Sequence, residues 1–168
     1  MNTVTKNWGQ FKGWNANCWS LYLDDAYFGG ADFVGRAWNG NDDASANIST
    51  SVVQAFNYFG SPGKTKRWTM MRPIFNTNGT PTALMGLNID FNINDPTGTV
   101  SFTSPGYATW DSGVWDTATW GGGVTISQQW VGVNGMGKCA GATILTDTAG
   151  IELHWVATDY VYEQGWTL

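Results

Sequence analysis

Alternation with a period of two runs through most of the chain. In GLNIDFNIN, Leu87, Ile89, Phe91 and Ile93 alternate with Asn88, Asp90, Asn92 and Asn94. That is the pattern of a strand with one apolar face and one wet face. GIELHWVA repeats it, with Ile151, Leu153 and Trp155 on one face and Glu152 and His154 on the other. KRWTMMRPIF assigns Trp68, Met70, Arg72 and Ile74 to one side, and its Arg72-Pro73 step marks an edge or a strand end. Further candidate strands are TSVVQAFNYF, GTVSFT, VTISQQWVGV and CAGATILT, separated by the breakers GSPGK, NTNGTP, NDPTG and DTAG. No stretch carries a clear helical stripe, although 52–59 fits either period. Short strands with regular turn signals predict an all-β protein, an antiparallel β-sandwich. Leu87, Ile89, Phe91, Ile93, Leu153 and Trp155 are expected to share its core.

The first forty residues differ. CWSLYLDDAYFGGADFVGRAW holds two apolar runs around Asp24-Asp25 and reads as a β-hairpin. A lone hairpin is marginal in water. Trp8, Trp14, Trp19 and Tyr27 are therefore expected to include rings that lack their natural partners. NGNDDASAN, residues 39–47, is small and polar and reads as a linker. The expected organisation is a hairpin segment with its linker over 1–45 and the sandwich over 46–168.

Composition narrows the partners. Of 168 residues only 12% are charged, against about a quarter in an average protein, while 15% are aromatic and eleven are Trp. A net charge of −5 disfavours a nucleic-acid backbone as main partner. Low charge with many aromatics suits a chain packed against other subunits, and a sugar-binding module would share those traits. No apolar run approaches the length of about 18 residues needed to span a bilayer as a helix, and no basic-then-apolar leader opens the sequence. Cys18 and Cys139 read as two buried, reduced thiols. Without CxxC or a Cys/His cluster, zinc is not expected, and no other cofactor is signalled.

YATWDSGVWDTATWGGG sets Trp110, Trp115 and Trp120 five residues apart, two of them followed by Asp111 and Asp116. An odd step sends successive residues of a strand to opposite faces, and on a helix it turns each ring roughly 140° from the last. Neither element gathers the three indoles on one side. The expectation is a folded loop in which at least two of the indoles are buried pegs and the aspartates bond backbone N–H groups in turns. Each buried indole would contribute about 2–3 kcal/mol or more. The glycines after Trp120 would let the chain leave through angles open to few other residues.

Catalytic and metal chemistry has weak signals. Asp111 with Asp116, or Glu152 with Asp159, makes a conceivable carboxylate pair for glycoside hydrolysis. Turn-capping accounts for such aspartates without it. His154 is the only histidine and shares a face with Glu152, but no G-x-S-x-G or equivalent nucleophile motif accompanies it. NIDFNIND has oxygen ligands for Ca²⁺, yet alternation aims Asp90 along a wet sheet face. DDASAN lacks the spacing of a calcium loop. Trp-Asp dipeptides recurring at five residues are not the forty-residue WD repeat. GSPGKTKRW groups Lys64, Lys66 and Arg67 beside Trp68. It is read as a salt-bridged contact with an acidic neighbour, with DNA as the alternative.

Several segments together resemble a known family. LYLDDAYFGG, VVQAFNYFGSPGKTKRWTMMRPIF, LNIDF, WDSGVWDTATW and QQWVGVNGMGKCAGATI are similar to the C-terminal part of tail hub or stabilisation proteins of podovirus-like tailed phages and prophages. The most specific part is the pair of Trp-Asp pentads followed by W-x-G-V-N-G-x-G from Trp130 to Gly137. The resemblance spans nearly the whole chain, which lacks the long N-terminal portion of a full propeller. It implies a C-terminal β-domain behind a β-propeller body, with residues 8–38 as the last hairpin of a blade. It also implies a non-enzymatic virion protein, assembled in the host bacterial cytoplasm. Its partners would be other tail or neck subunits and further copies of itself, with no membrane involved. Trp110, Asp111, Trp115, Asp116, Trp120, Trp130, Lys66, Arg67 and Trp68 are then the candidate interface or loop-anchoring residues. The alternative is a carbohydrate-binding module for host-surface glycan.

Overall fold

The computed structural model describes residues 9–102, 108, 113–118 and 123–165. Its regular elements are all strands, and every strand pair is antiparallel. Two compact units divide the chain, 1–40 and 41–168, so the division falls a few residues before the boundary expected near 45.

The first unit holds β1 (Cys18–Tyr22), β2 (Asp25–Gly29) and β3 (Val34–Arg36), in the order β1-β2-β3. Leu23 and Asp24 form the two-residue loop between β1 and β2, with φ of 49° and 66°. Two positive φ values in succession give the turn whose twist matches that of the flanking strands. The turn thus precedes the expected Asp24-Asp25. Asp25 opens β2 opposite Tyr22 and accepts the Arg36 guanidinium from β3 at 2.7 Å. The segment is a three-stranded sheet and not a bare hairpin. β3 is too short for alternation to reveal it.

The second unit contains β4 (Ile48–Val53), β5 (Lys66–Thr77), β6 (Thr82–Ile89), β7 (Gly98–Val100), β8 (Thr125–Gln128), β9 (Val131–Gly137), β10 (Ala140–Thr148) and β11 (Leu153–Gln164). One sheet runs β4-β10-β6-β7 and the other β11-β5-β8, with β9 also paired to β5. The core joins Met71 and Phe75 of β5 to Ala83 and Met85 of β6, Val100, Val131, and Ala142 and Ile144 of β10. Leu153, Trp155, Tyr160, Phe102 and Val133 close around it. Side chains from two sheets meet face to face, which makes this unit a β-sandwich.

Three expectations fail here for identifiable reasons. Against β11, Trp68 pairs with Tyr162 and Met70 with Val161, so Thr69 is an extra residue. A bulge of this kind reverses the side-chain alternation beyond it. Lys66 and Trp68 point inward before the bulge; Met71, Pro73, Phe75 and Thr77 do so after it. Met70, Arg72 and Ile74 therefore do not share Trp68's face. Pro73, second, lies in the centre of a sheet and not at an edge. Pairing with β9 ends at Met71 and pairing with β8 begins at Ile74, so the ladder on that flank changes partner around the residue without an N–H.

The third failure is in GLNIDFNIN. β6 stops at Ile89, and Asp90 and Phe91 adopt φ of 48° and 64° in a tight turn closed by Asn92 N–H on the Ile89 carbonyl at 3.0 Å. Phe91 and Ile93 are 61% and 63% exposed and stand outside the core. The loop then folds over the outer face of β6. Asn94 N–H donates to Asn88 Oδ1 at 2.9 Å, and Pro96 lies so close to Gly86 that an added Cβ would meet it at 3.1 Å. Asn88, expected on a wet face, is buried by the chain that follows it.

Candidate functional site

Lys66 and Trp68 are not the surface patch that their sequence suggests. Lys66 is fully buried, and its three ammonium donors reach the carbonyls of Ser61 (2.6 Å), Lys64 (3.1 Å) and Lys138 (3.0 Å). The ammonium has three donors and no acceptor, so three carbonyls satisfy it. It thereby pins the loop before β5 to the turn between β9 and β10. Trp68, equally buried, packs with Phe59 and Tyr162 at ring separations of 6.1 and 6.4 Å. Arg67, between them, faces water with Glu163 at 3.8 Å, and Lys64 is exposed as well. The basic-aromatic run is an anchor inside the sandwich. Of the two roles expected of Lys66, interface and loop-anchoring, its burial fits the second; the sequence could not separate them because burial of a lysine depends on carbonyls from distant loops.

The solvent face of the β11-β5-β8 sheet has the chemistry of a contact surface. Beyond the Thr69 bulge, β5 turns Met70 and Arg72 outward, opposite Val161 and Asp159 of β11. The Asp159 carboxylate accepts Arg72 Nε at 2.9 Å and Nη2 at 2.5 Å. The guanidinium also lies 5.0 Å from the centroid of the Trp130 ring, within cation–π range. Trp130 remains 42% exposed beside the partly exposed Met70 and Val161. Trp, Arg and Met are enriched at protein interfaces, and Arg fixed by an acid presents its stacked partner at low entropic cost. Arg72 occupies one face of the indole, which leaves less of the ring for a sugar to stack on.

The Trp-Asp segment is described only in part. Trp110, Asp111 and Trp120 lie outside the described residues. Trp115 begins a turn that Val114 closes by accepting the N–H groups of Thr117 (3.3 Å) and Ala118 (2.9 Å). Asp116 takes a left-handed φ of 73° there. Trp115 is 69% exposed and is not itself a buried peg; the expectation that at least two of the three indoles are buried then falls on Trp110 and Trp120, outside the described residues. Turn geometry, in which Asp tolerates left-handed φ, decides the position of Trp115 more than burial does.

In the first unit, aromatic rings stack on one another and bury little. Trp14 stacks on Trp19 at 5.3 Å and on Phe28 at 5.2 Å, and tilts against Phe11 and Trp38. Phe28 meets Phe33 edge-on at 5.8 Å. Leu21, Tyr22, Val34 and Trp38 are exposed, and Ala37 is the one described residue of this unit that is buried.

The remaining candidates are structural. Asp90 Oδ1 accepts the N–H groups of Lys138 (2.8 Å) and Cys139 (3.1 Å). Burial pushes its carboxyl up, but these N–H groups outweigh it and hold the group below the usual 3.8. Cys139 is buried, and burial together with the Asp90 charge raises its thiol above the usual 9.0. Cys18, expected to be buried, is exposed. His154 Nε2 and Glu152 Oε1 lie 2.6 Å apart on an open surface, and Asp159 is engaged by Arg72. Among the described residues no three His, Cys, Asp or Glu side chains converge as metal ligands would.

Comparison with known proteins gives no match to a family model, a curated protein or a solved structure.

Proposed function

We propose that this chain is a non-enzymatic structural protein of a phage particle, holding subunits together in the tail or the head-to-tail neck. The observation that carries the reading is the first unit's sheet. Its aromatic cluster around Trp14 is organised but has almost no interior, so neighbouring chains would supply the missing cover. The exposed Trp130–Arg72–Met70 surface of the sandwich supports the same reading, as does the resemblance to tail hub and stabilisation proteins. Antibody raised against the purified chain, applied to particles from a bacterial lysate that encodes it, tests the proposal by gold labelling in the electron microscope. Label on the neck or tail is expected. Unlabelled particles, with binding of the chain to host polysaccharide on a glycan array, would replace it with the carbohydrate-binding alternative. That second reading rests on the exposed Trp115 ring.

A further inference from the structure

Among the described residues β4 is the outermost strand of its sheet, and its own sequence and register carry none of the usual protections of an edge. Ile48, Ser49, Thr50, Ser51, Val52 and Val53 include no charge, no proline and no bulge, and all six are exposed. Natural edges are normally blunted by such devices. The outer strand of the other sheet has them: β11 carries Asp159 and Glu163 and breaks register at Val156 and again between Val161 and Tyr162. The contrast within one molecule singles out β4.

Backbone direction fixes what this edge can accept. Gln54 donates its N–H to the Ala142 carbonyl at 2.8 Å. By strand alternation, residues 48, 50 and 52 also turn their backbone groups toward β10, and Ser49, Ser51 and Val53 turn theirs outward. Val52 pairs with Ile144, a core residue, so Ile48, Thr50 and Val52 lie on the inner face of the sheet. Ile48 and Val52 stay exposed there.

We infer that β4 pairs with β4 of a second copy of this chain, antiparallel, about a two-fold axis through Thr50. That register sets Ser49 opposite the second copy's Ser51, so the outward N–H and C=O groups of both bond reciprocally. Ile48 then faces Val52 on the inner face, and Thr50 faces its own equivalent as a close, non-hydrogen-bonded pair. A register centred on Ser51 also satisfies the backbone but sets Ile48 against Gln54 and loses the apolar match. The contact is isologous and closes at two copies, joining two four-stranded sheets into one. The inference is independent of the virion reading.

Strand pairing alone buries little area, in the weak class below about 1,200 Å², so the association is sought at about 100 µM chain by sedimentation velocity. A dimer is expected. Thr50→Lys and Thr50→Glu should each weaken it about tenfold or more, because like charges would face each other across the axis. Mixing the two variants should restore it. In a Cys18→Ser background, Thr50→Cys should form an interchain disulfide under mild oxidation and Ser49→Cys should not. Native melting behaviour of the variants guards against loss of folding. A monomer at that concentration, a dimer indifferent to charge at position 50, or equal cross-linking at 49 and 50 would each overturn the inference. A charge-indifferent dimer would direct attention to the aromatic sheet of the first unit.

Discussion

Lys66 shows how one side chain can close a loop by hydrogen bonding alone. Lys66→Met keeps the stem but strands three carbonyls, and should lower stability by about 1–3 kcal/mol in urea titrations. Asp90 carries an acid-side signature. Its folded pKa lies below the unfolded value, so its contribution is complete above about pH 4 and is lost as pH falls through the depressed folded value. The stability gap between the protein and Asp90→Asn should therefore be constant at neutral pH and shrink in acid. A gap that does not change with pH would show the carboxylate to be irrelevant. Cys139 acts at the other end. Its raised pKa means that stability falls as pH rises past the usual 9.0, where the unfolded thiol ionises and the folded one resists. Phe91→Ala, which removes a ring 61% exposed and tilted against Phe56 at 4.7 Å, should cost under about 1 kcal/mol. Phe75→Ala, in the core, should cost about 3–5 kcal/mol.

At the scale of elements, the strands were legible and their phases were not. CAGATILT and GIELHWVA are strands, β10 and β11, Leu153 and Trp155 keep the shared inner face expected of them, and the breakers fall at or between strand ends, because a short apolar run and a glycine-rich gap are local properties. The Thr69 bulge is not local. It exists because Trp68 and Met70 keep different partners on β11, and no residue in KRWTMMRPIF announces it. The Asp90-Phe91 turn was hidden for a related reason. GLNIDFNIN alternates through the turn, and the chain reverses there because Asp90 finds two N–H groups 48 and 49 residues away. Of the candidate site residues, Trp130 is exposed, while Lys66 and Trp68 are buried and can serve as loop anchors but not as surface contacts; the sequence left both roles open because burial is set by the partners and not by the side chain's own polarity. Deleting Thr69 tests the phase argument. It should force either Lys66 and Trp68 or Met71 and Phe75 outward, and the variant should lose its cooperative urea transition.

At the scale of the whole molecule, the sandwich holds the buried core, and the first unit exposes Trp19, Leu21, Tyr22, Phe33, Val34 and Trp38. Removing rings from that surface should weaken association without unfolding the sandwich. Trp38→Ala, at a ring 70% exposed, is expected to leave the unfolding free energy from urea titration within about 0.5 kcal/mol of the parent and to reduce self-association or binding to particles. A fall in the midpoint with association unchanged would make the ring a structural one. The two thiols give these measurements a convenient handle. One is open to solvent in the first unit; the other is sealed in the second, where burial first and the Asp90 charge next hold it in its unreactive thiol form. A maleimide dye should accordingly take one equivalent on the native protein and two in denaturant. The unmodified sequence is then its own singly labelled probe, with the reporter on β1, on the face of the first unit's sheet opposite to Trp19 and Phe28.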